Sequence, residues 1–169
     1  LRGNGQRLFA EVDGAWHLLD VPSAFEMTPD RSRWIYKHAA GLIAVRSTAG
    51  LDRHELTLSV EVMSGRPARF LLSNHVAIDG DDGSNTLPAQ CSEEGEGFFV
   101  QAVADSDVGR RFPKGGFRLE PLSGTVIERV GGDELLFLDG SSRRQPYLCM
   151  ITAPAASISF RVTGELIPG

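Results

Sequence analysis

Apolar and polar positions alternate with a period of two along much of this chain. The clearest run places four apolar residues on one face and three polar residues on the other: Leu56, Leu58, Val60 and Val62 against Thr57, Ser59 and Glu61. The last run repeats the pattern, with Ile158, Phe160, Val162 and Leu166 on one face and Ser159, Arg161, Thr163 and Glu165 on the other. Successive side chains of a strand leave opposite faces of a sheet, so both runs predict half-buried β-strands.

Short segments of this kind recur between clusters of Gly, Asp, Pro and Ser, and no apolar pattern of helical length interrupts them. The predicted strands are residues 8–12, 15–19, 33–38, 42–48, 55–62, 68–78, 97–103, 116–120, 125–130, 134–138, 147–152 and 157–166. Residues 19–32 and 84–96 show no period and are predicted to be loops. The pattern predicts an all-β fold, a two-sheet antiparallel β-sandwich with little helix, forming a single domain over residues 1–169.

Strands 55–62 and 68–78 flank Ser64-Gly65, which predicts an antiparallel hairpin in which Val60 faces Phe70. The same parity turns Asn74 toward the core and His75 away from it. A buried amide left without hydrogen-bond partners costs about 1–3 kcal/mol, so Asn74 is expected to have partners.

The composition of the chain excludes some classes of partner but does not indicate a reaction. The chain has 169 residues and a net charge of −5, with no block of Lys or Arg, so a nucleic-acid partner is not predicted. No apolar run approaches the ~20 residues that span a bilayer, so no membrane partner is predicted either. Two cysteines, Cys91 and Cys149, do not make a disulfide framework, which favours a cytoplasmic protein. The chain begins at Leu1, and we expect it to be a fragment of a longer multidomain protein.

One acidic, Gly-rich stretch invites a metal hypothesis. Its candidate oxygen ligands for Ca²⁺ are Asp79, Asp81, Asp82 and Asn85. The spacing is not that of an EF-hand, and a solvated turn between strands is the alternative that the sequence favours. No other cofactor is expected.

Carbohydrate contact is the second hypothesis from the residues. Trp34, Tyr36 and His38 are spaced two apart and share one face of their strand, where aromatic rings could stack on sugars. The alternative is that the two aromatic side chains belong to the core. Other candidates for contact with a sugar, phosphate or carboxylate are Asn74, His75, Arg143 and Arg144. The sequence has no nucleophile elbow, Walker loop or dinucleotide fingerprint, so catalysis by this segment is not predicted.

Three phrases, RFLLSNHVAIDGDDG, QPYLCMITAP and ISFRVTGELI, resemble the β-sandwich region of cellobiose-phosphorylase-like enzymes. That group includes β-1,2-oligoglucan phosphorylases and the phosphorylase part of cyclic β-1,2-glucan synthases. The resemblance covers about residues 33–83 and 145–167 and contains no catalytic signature.

The resemblance implies a supersandwich of galactose-mutarotase-like form that precedes an (α/α)₆ barrel, in which the inverting phosphorolysis takes place. It therefore implies a non-catalytic domain whose partners are a helical catalytic domain of the same polypeptide and an oligosaccharide or β-glucan. His75 and residues 79–83 would be the places for a cleft or homodimer contact. The alternatives are a free-standing, lectin-like carbohydrate-binding module and a structural interaction domain without a ligand.

Overall fold

Two antiparallel β-sheets pack face to face in the computed structural model, which describes residues 5–78, 89–122 and 124–165. In chain order the strands are β1 (Gln6–Val12), β2 (Ala15–Leu18), β3 (Ala24–Thr28), β4 (Arg31–His38), β5 (Gly41–Ala49), β6 (Glu55–Ser64), β7 (Phe70–His75), β8 (Gln90–Glu94), β9 (Gly97–Gln101), β10 (Gly116–Pro121), β11 (Ile127–Gly131), β12 (Tyr147–Thr152) and β13 (Ser157–Glu165). The predicted all-β, two-sheet antiparallel sandwich is confirmed.

The larger sheet has the order β3-β4-β5-β6-β13-β10-β9-β8, and the smaller has the order β11-β12-β7-β1-β2. Their facing surfaces enclose the main core, in which Phe70, Phe160 and Val60 have at most 1% of their surface exposed. The predicted alternation is confirmed in the middle of β6 and β13, where Leu58, Val60, Ile158 and Phe160 are all buried in this core. Leu56, predicted on the same buried face, is 36% exposed at the start of β6, and Leu166 lies outside the described residues.

The predicted hairpin between β6 and β7 is wrong. β6 pairs with β5 and β13 in the larger sheet, whereas β7 pairs with β1 and β12 in the smaller one. Val60 therefore lies opposite Val45 and Ile158, and Phe70 lies opposite Ala10. The segment after Gly65 contains Pro67 and carries the chain from one sheet to the other, because an apolar β7 can bury both of its faces only in the middle of the smaller sheet.

The predicted strand at residues 134–138 is also wrong. A 3-10 helix over Asp133–Leu136 replaces it and lies against the outer face of the smaller sheet. There Leu135 closes a second apolar cluster with Leu71, Cys149 and Ile151. Leu135 and Leu136 therefore pack on the sheet as a cap rather than as part of a strand, whereas Leu138 is exposed.

Two strands lie in segments predicted to be loops. β3 and β8 are the edge strands of the larger sheet, and every residue in both is exposed, so neither has a buried face to produce alternation. The α-helix α1 (Asp107–Arg111) is one short turn, capped by the Ser106 hydroxyl, which accepts from the Gly109 amide at 2.9 Å. Across the described ranges, no helix has the length and apolar character needed to cross a membrane.

Candidate functional site

A cleft of about 590 Å³ opens between the two sheets where β1 and β2 lie over β4 and β5. We call it the inter-sheet cleft. Its floor is apolar and is made by Leu8, Leu19, Leu58 and Leu72, all buried. Its wall carries Trp34 and Tyr36, and its polar lining includes Gln6, Asp20 and Ser47. The cleft therefore combines an apolar base with a few polar groups, the usual composition of a small-molecule site.

Trp34 and Tyr36 share the inner face of β4, as their spacing predicted. They lie opposite Val45 and Ile43 of β5, and both are partly buried and pack against the main core. The ring of Trp34 also meets that of Phe25, with centroids 5.5 Å apart and an interplanar angle of 38°. The two aromatic side chains thus belong to the edge of the core and at the same time line the cleft.

The partly buried position of Tyr36 changes the pKa of its phenol. Burial raises the pKa of the Tyr36 phenol above its ordinary value, and the negative charge of Asp20 raises it further. The phenol therefore stays protonated at neutral pH and can donate a hydrogen bond into the cleft.

His38 continues the β4 row but stands outside the lining of the cleft. Its ring meets that of His17 from β2, with centroids 5.8 Å apart, and its Nδ1 accepts from the Ala40 amide at 3.2 Å. Burial lowers the pKa of His38, the neighbouring His17 lowers it further, and Asp20 opposes the shift. The pair joins the two sheets at their rim.

Asn74 and His75 are neighbours in sequence but lie on opposite faces of β7. Asn74 is 7% exposed and points inward, where its Oδ1 accepts from Gln6 Nε2 at 2.8 Å and its Nδ2 donates to the Leu148 carbonyl at 3.2 Å. The predicted inward orientation and the predicted partners are both confirmed. His75 packs edge-on against Tyr147 on the outer face, with centroids 5.1 Å apart, and burial followed by the charge of Arg7 lowers its pKa. The two residues do not share a site.

We expect Asn74→Ala to lower the free energy of unfolding by about 1–3 kcal/mol, because the buried Leu148 carbonyl loses its donor and the Gln6 amide loses its acceptor. Urea titration followed by circular dichroism measures this loss. Gln90→Ala, on the exposed edge strand β8, is the control and should shift the midpoint little. Equal midpoints for the two variants would contradict the assigned role of Asn74.

Arg143 and Arg144 lie on a loop that does not contribute to the lining of the inter-sheet cleft. The guanidinium of Arg143 stacks over the Phe137 ring, 4.3 Å from its centroid, and pairs with Asp139 at 2.8 Å. Arg144 is exposed and has a φ of 59°. Both side chains are exposed, but the Arg143 guanidinium is paired within its own loop, whereas Arg144 makes no ion pair among the described residues.

Sequence reasoning missed the residue that organises this loop. The carboxylate of Asp133 is 2% exposed and accepts from the Ser142 hydroxyl at 2.5 Å, the Arg143 amide at 2.7 Å and the Gln145 amide at 3.1 Å. Burial alone would raise the pKa of Asp133, but these three hydrogen bonds outweigh it, and the pKa lies below its ordinary value. No local pattern pointed to Asp133, because its three donors lie nine to twelve residues further along the chain.

The hypothetical Ca²⁺ ligands, Asp79, Asp81, Asp82 and Asn85, lie outside the described residues. Within the described ranges, no group of three or more His, Cys, Asp or Glu side chains is arranged to hold a metal ion. Cys91 and Cys149 are free thiols, and burial, with smaller contributions from Glu134 and Asp133, raises the pKa of Cys149 to about 12. Cys149 is therefore a protonated core residue rather than a nucleophile.

The fold is an all-antiparallel sandwich of two sheets with an open cleft between them. A protein-family model described as "Glycoside phosphorylase supersandwich domain" matches residues 1–164. The chain belongs to this family.

A curated relative is consistent with the family. The chain is 27% identical over 166 residues to a 1,2-beta-oligoglucan phosphorylase of Listeria innocua serovar 6a. The match covers 98% of this chain but only 15% of the relative, so the chain spans a small part of that enzyme's length.

Proposed function

We propose that this chain is the non-catalytic supersandwich domain of an enzyme that phosphorolyses β-linked glucans, and that it supports a separate helical catalytic domain of the same polypeptide. The observation that carries the proposal is the family match over residues 1–164, together with a relative, named as a phosphorylase, of which the chain covers 15%. The two free cysteines also fit a reducing, cytoplasmic setting.

The outer face of the larger sheet is rich in charged side chains. Cross-strand ion pairs run along it, including Arg46 with Glu61 at 2.9 Å and Arg33 with Glu26 at 3.4 Å. These charges are at least partly exposed, and such pairs contribute little to stability, but they keep the face soluble. Docking of another domain is therefore better sought where an apolar side chain is left in water.

The loop organised by Asp133 offers such a contact. Its Leu138 is 101% exposed, although the loop is fixed by the Asp133 hydrogen bonds and by the stacking of Arg143 on Phe137. A rigid loop loses little conformational entropy on docking, so an apolar anchor on it is effective. We assign Leu138 as an anchor that inserts into the catalytic part of the polypeptide.

The test uses the parent polypeptide and the 169-residue chain, each incubated with β-1,2-linked gluco-oligosaccharides and inorganic phosphate. The parent should release glucosyl phosphate and the 169-residue chain should release none. Release by the 169-residue chain, or no release by the parent from any β-glucan, would overturn the proposal.

The docking contact is tested in the parent by Leu138→Asp, with Leu51→Asp as the matched control, because Leu51 is also an exposed leucine at 86%. We expect Leu138→Asp to separate the unfolding of the domain from that of the rest in calorimetry and to lower the rate several-fold, because a carboxylate would enter an apolar contact. Leu51→Asp should resemble the wild type. Identical behaviour of the two variants would remove Leu138 from the docking contact.

A further inference from the structure

We propose that the inter-sheet cleft is a glucan-binding subsite, in which Trp34 stacks on a glucosyl ring and polar side chains of the cleft bind its hydroxyl groups. The assignment of a β-linked glucan as ligand rests on the proposed function. The subsite would hold a short stretch of the glucan at a distance from the glycosidic bond that reacts.

The aromatic wall has the form that pyranose rings require. Trp34 and Phe25 are paired residues on the neighbouring strands β4 and β3, and their rings lie 5.5 Å apart at 38°. Phe25 is 51% exposed and extends the platform out of the cleft toward solvent. A sugar presents C–H groups on its faces, which pack on such rings, and the 590 Å³ of the cleft falls within the range of about 300–1,000 Å³ typical of small-ligand sites.

The polar groups are suited to hydroxyls, which both donate and accept. Tyr36 offers a protonated phenol, Asp20 a carboxylate that accepts, and Gln6 an amide already oriented by its 2.8 Å bond to Asn74. The hydroxyls of Tyr36 and Ser47 have no hydrogen-bond partner within the part of the chain that the structure describes. They are available to a ligand at the mouth of an otherwise apolar cavity.

These unpartnered groups decide between a sugar and an apolar occupant. An apolar side chain or small molecule in the cleft would remove water from the Tyr36 and Ser47 hydroxyls without replacing the hydrogen bonds that water makes, which is unfavourable. The hydroxyl groups of a glucosyl unit would replace these hydrogen bonds to water. The leucine floor of the cleft would accept either a sugar or an apolar ligand. The polar side chains of the cleft therefore decide the choice, and they favour the sugar.

The chain has two Trp and two Tyr residues. One residue of each type lines the cleft, and the other serves as its control. Trp16→Phe leaves Trp34 as the only indole, and its emission is followed while a β-1,2-linked glucotriose is added to the full chain. We expect a saturable change in emission with a dissociation constant near 1 mM, roughly that of a weak subsite. Trp34→Phe, which retains Trp16 on the outer face, should show no change.

The polar contacts are tested by calorimetry. Tyr36→Phe keeps the ring and removes the hydroxyl, and it should weaken glucotriose binding about tenfold. Tyr147→Phe is the control on the outer face and should bind like the wild type. Equal affinities for the two variants, or a constant Trp34 emission with flat heats at millimolar sugar, would overturn the subsite. So would a naphthalene-sulfonate dye that fills the cleft and is not displaced by the sugar.

The outcomes separate this inference from the proposed function. A parent polypeptide that releases glucosyl phosphate while the cleft shows no binding would refute the subsite alone. A cleft that binds glucotriose in a parent that phosphorolyses no β-glucan would refute the proposed enzyme and support a carbohydrate-binding module.

Discussion

Gly41→Ala is expected to lower the free energy of unfolding by about 3 kcal/mol or more, because the substitution meets two independent obstacles. Gly41 has a φ of 123°, in the region that L side chains rarely adopt, and forcing alanine there costs about 1–2 kcal/mol. An added Cβ would also lie 2.0 Å from the Ser64 carbonyl oxygen in β6. That oxygen belongs to the backbone of a paired strand, so β5 and β6 must move apart to admit the methyl group.

Gly14→Ala is the matched control for this prediction. Gly14 also has a positive φ, at 78°, but an added Cβ would meet nothing within 4 Å. Its expected cost is therefore the backbone strain alone, about 1 kcal/mol. Guanidinium titration of the wild type and both variants measures the difference. Equal losses for the two variants would show that the close approach of Gly41 to Ser64 is not a constraint on the fold.

Periodicity predicted the strands well where one face is buried. Residues 147–152 were predicted with both ends as observed in β12, and the core faces of β6 and β13 were assigned correctly except at Leu56, which is exposed. Alternation reports which face of a strand is buried, but it does not report which strand lies beside it. Residues 65–69 are compatible with a turn and with a crossing between sheets, so the placement of β7 in the other sheet depended on its pairing with β1 and β12, which are distant in sequence.

The candidate site was predictable only on one side. The spacing of Trp34 and Tyr36 placed both on one face of β4, but Leu8 and Leu19 of the floor and the polar Asp20 are brought there by the pairing of β1 with β2. No local pattern contains that juxtaposition. Conversely, Asn74 had a local signal, since a polar residue at an apolar parity implies partners, and these partners are present.

Asp133→Ala is also expected to have a large effect and to lower the free energy of unfolding by about 3 kcal/mol. Removal of the carboxylate leaves the Ser142 hydroxyl and the amides of Arg143 and Gln145 without their acceptor, and hydrogen bonds to a charged group contribute about 1.5–3 kcal/mol each without being additive. Asp133→Asn should also destabilise the fold, because its NH₂ group would face donors. Asp52→Asn, on an exposed bend, is the control and should change stability little.

The contribution of Asp133 should depend on pH in one direction. The pKa of Asp133 is lower in the folded chain than its unfolded value of about 3.9, so the folded state favours the carboxylate. Its stabilisation is fully present above the unfolded pKa and is lost as the pH falls through the folded pKa. The stability gap between wild type and Asp133→Asn, measured by urea titration at several pH values from 7 to 3, should therefore be constant at the upper end and narrow below about pH 4. A gap that stays constant down to pH 3, or widens, would contradict a buried carboxylate held by three donors. It would leave the rigidity of the Leu138 loop without its physical cause.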